Sequence, residues 1–159
     1  KTRYGEITAT TACFDEVWQL KETTGWEDLL LFGTDFQKKV WKKLYELTRP
    51  ENNGSRTPRL ISYSDFAELC QNRAGVRAVA HAVGLNPISI LIPCHLVVPK
   101  EAIDKMKMIN KKAEATIFKG VDLCLNTILK NEGIDFGNYA MGPGLKRKLI
   151  SMELTGTDL

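Results

Sequence analysis

The stretch Asn72-Arg73-Ala74-Gly75-Val76-Arg77-Ala78-Val79-Ala80-His81-Ala82-Val83-Gly84-Leu85-Asn86-Pro87-Ile88-Ser89-Ile90-Leu91-Ile92-Pro93-Cys94-His95 decides how the chain is read. Asn72 is placed to cap a helix over 74–83, with Gly84 just past its end. Upstream, Ser62 and Asp65 form a capping pair for another short helix whose apolar side is Phe66, Leu69 and Cys70. Two short helices joined by a tight turn read as a helix-turn-helix, a motif that also occurs in proteins that never touch nucleic acid. Ala74, Gly75, Ala78, Ala80 and Ala82 are small, so the second helix can approach a partner closely, and Arg77 is its one long cation. Either that helix packs on a neighbour with Arg77 reaching out to solvent, or it lies against nucleic acid and projects one guanidinium.

After Asn86-Pro87, residues 88–92 read as a buried extended segment that stops at Pro93. Cys94 and His95 follow at once. A cysteine beside a histidine is a candidate nucleophile, because the thiolate is the reactive form and an imidazole can take its proton. Adjacent side chains of an extended segment face opposite ways, so a bridging water suits the pair better than direct contact. The alternative is a small buried hydrophobe.

Further out, Thr34 and Gln37 form a capping box for a helix with Phe36, Val40, Trp41, Leu44 and Leu47 on one face and Lys38, Lys39, Lys42 and Lys43 on the other. It must end before Pro50, and a polar loop follows over 51–58. Residues 7–14 are β-prone and predict a short strand, and 26–31 a buried turn. Toward the C-terminus, helices are expected over 101–112, 120–129 and 143–152, the last opening on Pro143, with Leu145, Leu149 and Ile150 buried and Glu153 at its end.

The 159 residues carry a net charge of +3 and make one domain, or one with a small appendage. Charge is uneven: 35–60 hold seven basic and three acidic groups, and 100–119 six lysines against three acids. The basic stretch over 35–60 suits a polyanion or a solvated helix face. No apolar run is long enough to span a bilayer, nor does the front of the chain have a signal-peptide core. The opening Lys1 suggests that an initiator or a longer leader is missing. Cys13, Cys70, Cys94 and Cys124 contain no C-x-x-C pair, and two histidines make a poor zinc set, so free thiols, no metal and no cofactor are expected. Three of the four cysteines are expected to be buried, and the location cytoplasmic.

Pro93-Cys94-His95-Leu96-Val97, preceded by Asn86-Pro87-Ile88, resembles the active-site segment of O6-alkylguanine-DNA alkyltransferases (methylated-DNA–protein-cysteine methyltransferases). The likeness runs over 33–98 and resumes over 137–153. It includes Phe32 to Gln37 with Val40-Trp41, Ser62-Tyr63, Arg77-Ala78-Val79, and Gly137-Asn138-Tyr139-Ala140 with Lys148 to Glu153. The resemblance implies a mainly α, winged-helix-like DNA-binding domain with few short strands. Residues 1–32 would be the remnant of a shortened N-terminal domain, and 33–159 the DNA-binding and active-site domain. It further implies that Cys94 accepts the alkyl group, that His95, through a water, and Glu153 form its relay, and that Asn86 braces the turn. Tyr63 would help rotate the nucleotide out and protonate the purine, Arg77 would fill the gap beside Gly75 and Ala78, and Val97, Tyr139 and Ala140 would line the guanine pocket. The partner implied is double-stranded DNA containing O6-alkylguanine, met by a monomer in one self-inactivating transfer.

Two departures stand out. Leu96 occupies a position where the family usually has Arg. The 45 residues from Cys94 to Tyr139 also exceed the family's usual span, so about 100–135 is read as an insertion forming a small helical lobe beside the pocket, its lysines available to phosphates. These departures keep a competing reading open, a non-catalytic alkylated-DNA-binding protein of the alkyltransferase-like type, although such relatives lack the cysteine. A helix-turn-helix regulator would bind undamaged sequence. A thiol hydrolase would have only His81 as a distant histidine.

Overall fold

The computed structural model describes residues 13–49, 60–114 and 128–155, and within them the chain is mainly helical with one two-stranded parallel sheet. The first helix, α1 (Phe14–Thr23), opens where a strand is expected. Glu16 reaches back to the backbone N–H of Cys13 at 2.7 Å, and Phe14 stacks on Trp18 one turn later, so local capping and an i,i+4 aromatic pair start the helix at the last residue of that stretch. Residues 7–12 lie outside the described residues. A 3-10 turn follows at Trp26–Asp28, where Trp26 packs edge-on against Tyr45. The expected buried turn is buried only in part, since Leu30 is exposed.

Helix α2 (Asp35–Glu46) has the capping box expected of Thr34 and Gln37. Val40, Trp41, Leu44 and Tyr45 are buried, and the Trp41 indole donates to Ala82 O at 2.8 Å, tying α2 to the helix-turn-helix. Phe36 is exposed, one residue off the buried stripe. The polar loop expected over 51–58 lies outside the described residues.

Strand β1 (Ile61–Ser62) pairs in parallel with β2 (Val97–Val98), Ile61 opposite Val97 and Ser62 opposite Val98. This short ladder fixes the site. β1 runs directly into α3 (Tyr63–Leu69), whose N-cap Ser62 accepts from Asp65 N–H, and β2 begins directly after a 3-10 turn at Cys94–Leu96. Tyr63 is thereby brought beside Cys94, 31 positions later in the chain. Phe66 and Cys70 are buried as expected, but Leu69 is exposed and Ala67 takes its place in the core.

Helix α3 is closed just past its end by Gln71, whose φ of 58° is left-handed; Asn72 N–H returns to Ala67 O and Gln71 N–H to Glu68 O, the paired bonds of a Schellman closure. Asn72 makes no side-chain cap. A 3-10 turn at Arg73–Gly75 leads instead into α4 (Val76–Gly84), and Gly84 is the last helical residue rather than the one beyond it. The segment 88–92 is not extended. Ile90 has φ 78°, and Ile92 N–H bonds to Ile88 O, closing a tight loop whose ends Asn86 holds together. Apolar runs of this length do not distinguish a strand from a folded loop.

Successive residues of β2 face opposite ways, and this separates two cores. Val97 belongs to the core built from α2, α3 and α4. Val98 belongs to a second, with Ala102 of α5 (Lys100–Glu114), Ile128, Leu129, Ile134, Phe136 and Ile150. The helix expected over 120–129 lies largely outside the described residues, which record a helical turn at 128–130. The last helix, α6 (Pro143–Thr155), runs beyond the expected end at 152; Leu149 and Ile150 are buried, whereas Leu145 is half-buried and Lys146 fills the inward position. Cys70 and Cys94 are buried free thiols, Cys13 is exposed at the start of α1, and Cys124 lies outside the described residues.

Candidate active site

Cys94 opens the 3-10 turn between the 88–92 loop and β2. Its sulfur accepts from Asn86 Nδ2 at 3.0 Å, and the same amide donates to Ile92 O at 2.8 Å. Asn86 Oδ1 accepts from Ile88 N–H, so one side chain both shapes the loop and supports the sulfur. A cavity of about 370 Å³ opens over Cys94. Its lining includes Tyr63, the small residues Ala80 and Gly84 of α4, and Ser89, Tyr139 and Ala140. The absence of bulk on this helix is what leaves room for a ligand of small-molecule size.

His95 is fully buried. Its Nε2 lies 3.0 Å from Glu153 Oε1, which assigns the proton to Nε2 and leaves Nδ1 as the lone-pair nitrogen, without a partner among the described residues. Lys21 pairs with the same Glu153 oxygen. Lys146 Nζ donates to Val97 O at 2.9 Å and to Asn138 O at 3.3 Å, and lies 6.0 Å from the Tyr63 ring centroid.

Burial dominates the electrostatics. It pushes the Cys94 thiol up, opposed by the Asn86 hydrogen bond and by Lys146. It pushes His95 well below the usual imidazole range, helped by the cations Lys21 and Lys146. Tyr63 is raised by burial and by Cys94, and Tyr139 is pushed up to about 12 for the same reasons. Lys146 is drawn down to about 8 by burial, against the pull of Cys94 and Asp135. At rest the site therefore holds a thiol, a neutral imidazole and protonated phenols.

The fold thus gathers Cys94, His95, Glu153, Tyr63, Asn86, Tyr139 and Ala140 from five separate stretches. Val97 is not part of the cavity wall; it is fully buried and its carbonyl is bonded to Lys146. Arg77 and Ala78 stand exposed on the outer face of α4, with Gly75 half-buried in the turn before it. No described residue of 100–135 lines the cavity. Sequence reading missed two residues. Lys146 carried a signal, since 146, 149, 150 and 153 follow helical spacing and all point inward. Lys21 carried none. Among the described residues no group of three or more His, Cys, Asp and Glu side chains could hold a metal ion, and no helix is long and apolar enough to cross a membrane.

The structure thus presents a helix-turn-helix whose second helix walls a cleft over a buried cysteine. Residues 35–115 match the family profile described as 6-O-methylguanine DNA methyltransferase, DNA binding domain, and the chain belongs to that family. It is 48% identical over 73 residues to a probable methylated-DNA–protein-cysteine methyltransferase of Acanthamoeba polyphaga mimivirus, covering 46% of this chain and 44% of that one. With the methylated-DNA–protein-cysteine methyltransferase of Haemophilus influenzae it shares 42% identity over 69 residues, 43% of this chain and 34% of the relative. The match thus spans less than half the length of these relatives. The crystal structure of Mycobacterium tuberculosis O6-methylguanine methyltransferase superposes with a TM-score of 0.51 at 25% identity, over 87% of this chain and 60% of that one.

Proposed function

We propose that this protein repairs DNA by direct reversal, moving the alkyl group of O6-alkylguanine in double-stranded DNA onto its own Cys94. The observation that carries the reading is the Cys94 sulfur, held by Asn86 at the base of a cavity walled by the second helix of the helix-turn-helix. Small residues on α4 let that helix lie close against the duplex, and Arg77 enters the stack where the target nucleotide leaves it. Flipping costs a few kcal/mol of unstacking, which an inserted side chain partly offsets.

In the cleft the sulfur attacks the alkyl carbon as the thiol proton passes through a water to His95 Nδ1. Glu153 then stabilises the imidazolium through Nε2–H. The S–C bond forms, the C–O6 bond breaks, and its electron pair departs on guanine. Tyr63 supplies a proton to the purine N3; its raised pKa keeps it a donor at neutral pH. The product is a thioether with no leaving group to restore the thiol, so each chain acts once.

Intact-protein mass after incubation with a duplex carrying one O6-methylguanine tests this. Covalent capture predicts a gain of one methylene, about 14 Da, saturating at one per chain and absent in Cys94→Ser. Retained tight binding with no mass gain would overturn the transfer and identify a non-catalytic damage binder.

A further inference from the structure

Two cationic or proton-donating groups from different parts of the fold converge on one oxygen. Glu153 Oε1 accepts from His95 Nε2 at 3.0 Å and is also paired with Lys21 Nζ, from the last turn of α1. Both partners of the ion pair are nearly inaccessible, at 8% and 6% side-chain exposure, and the Lys21 ammonium lies 4.3 Å from the Trp18 ring centroid. Among the described residues, neither apolar core contains a residue of α1, so Lys21 is buried outside both of them.

The charged and titratable groups around His95 are few among the described residues. Glu153 and Lys146 face it from α6, Lys21 from α1, Cys94 from its own turn, and Tyr139 presents its ring edge-on at 6.4 Å. A buried carboxylate on Nε2–H, left to itself, draws a second proton onto the imidazole and so favours an imidazolium beside a thiolate. An ammonium on the same carboxylate oxygen cancels that pull.

We propose that Lys21 is a positioning residue for the Cys94 relay: by sharing Glu153 Oε1 with His95, it keeps the imidazole neutral and Cys94 a thiol until a substrate is seated. The inference deepens the function proposed above and rests on Cys94, His95 and Glu153 forming one relay. A protein consumed by a single alkylation gains from a resting sulfur that ignores small electrophiles. The direction agrees with the downward push of Lys21 on His95.

The test is the rate at which iodoacetamide modifies Cys94, followed across pH by mass mapping of the Cys94 peptide. Lys21→Met should move the profile about one unit toward acid, a rise of about tenfold below the midpoint, as expected for removal of one close charge. Lys21→Arg should restore the parent profile. A Lys21→Met profile that superimposes on the parent, or moves toward alkali, overturns the proposal. If Lys21→Met does not fold, the ring-nitrogen NMR shifts of His95 in the unaltered protein decide. A neutral ring protonated on Nε2 at pH 7 supports the role, and an imidazolium overturns it. Because no DNA enters the assay, failure of alkyl transfer from DNA would overturn the function and leave this result readable.

Discussion

The Asn86 amide donates to both Ile92 O and Cys94 Sγ while its carbonyl accepts from Ile88 N–H, so a single side chain holds a loop and orients a nucleophile. Ile90 within that loop is in the left-handed region, which a β-branched residue adopts only when its surroundings enforce it. Asn86→Ala should therefore cost about 1–3 kcal/mol in thermal or denaturant unfolding, from the polar groups it leaves unpaired. It should also slow iodoacetamide capture of Cys94 at fixed pH, because the sulfur loses the donor that favours its thiolate. An unfolding midpoint and capture rate equal to those of the parent would show that the loop holds itself.

Among the elements, α2 has the most regular local instructions. The Thr34 hydroxyl accepts from Gln37 N–H at 3.2 Å, the Gln37 side chain accepts from Thr34 N–H at 2.8 Å, and Gly33 precedes them where a Cβ would meet the Trp41 ring at 2.7 Å. Thr34→Ala should cost about 1 kcal/mol of stability, read from denaturant melts, with Cys94 capture unchanged because the cap lies away from the cavity. Gly33→Ala should cost more than the cap, since backbone and indole must shift together. These caps were legible in the sequence because they depend on residues three apart. The boundaries of α4 were not, because the Schellman turn at Gln71 and the 3-10 entry at Arg73–Gly75 are set by how α3 and α4 pack.

Across the whole molecule, the β1–β2 ladder divides two cores, and α5 lays Ala102, Ile103, Met106 and Ile109 on the second of them, away from the cavity. The lysines of 100–119 remain candidates for binding phosphates. Neutralising Lys105, Lys107, Lys111 and Lys112 together should flatten the dependence of log affinity on log salt for duplex DNA, by up to about 0.9 for each phosphate no longer neutralised. An unchanged slope would assign α5 to packing alone.

By itself the sequence determined the helix-turn-helix, the cap of α2, the cysteine–histidine pair and the order of matching segments, because each rests on local spacing or on residues adjacent in the chain. It also pointed to Glu153 as a partner of His95, through the resemblance rather than through any period. Only the tertiary structure decided that Lys146 turns inward to bond Val97 O, that Val97 leaves the cavity wall, and that Lys21 reaches Glu153 across 132 positions. Those outcomes depend on which buried charge finds which partner. Desolvation makes that choice stringent, and no pattern along the chain records it.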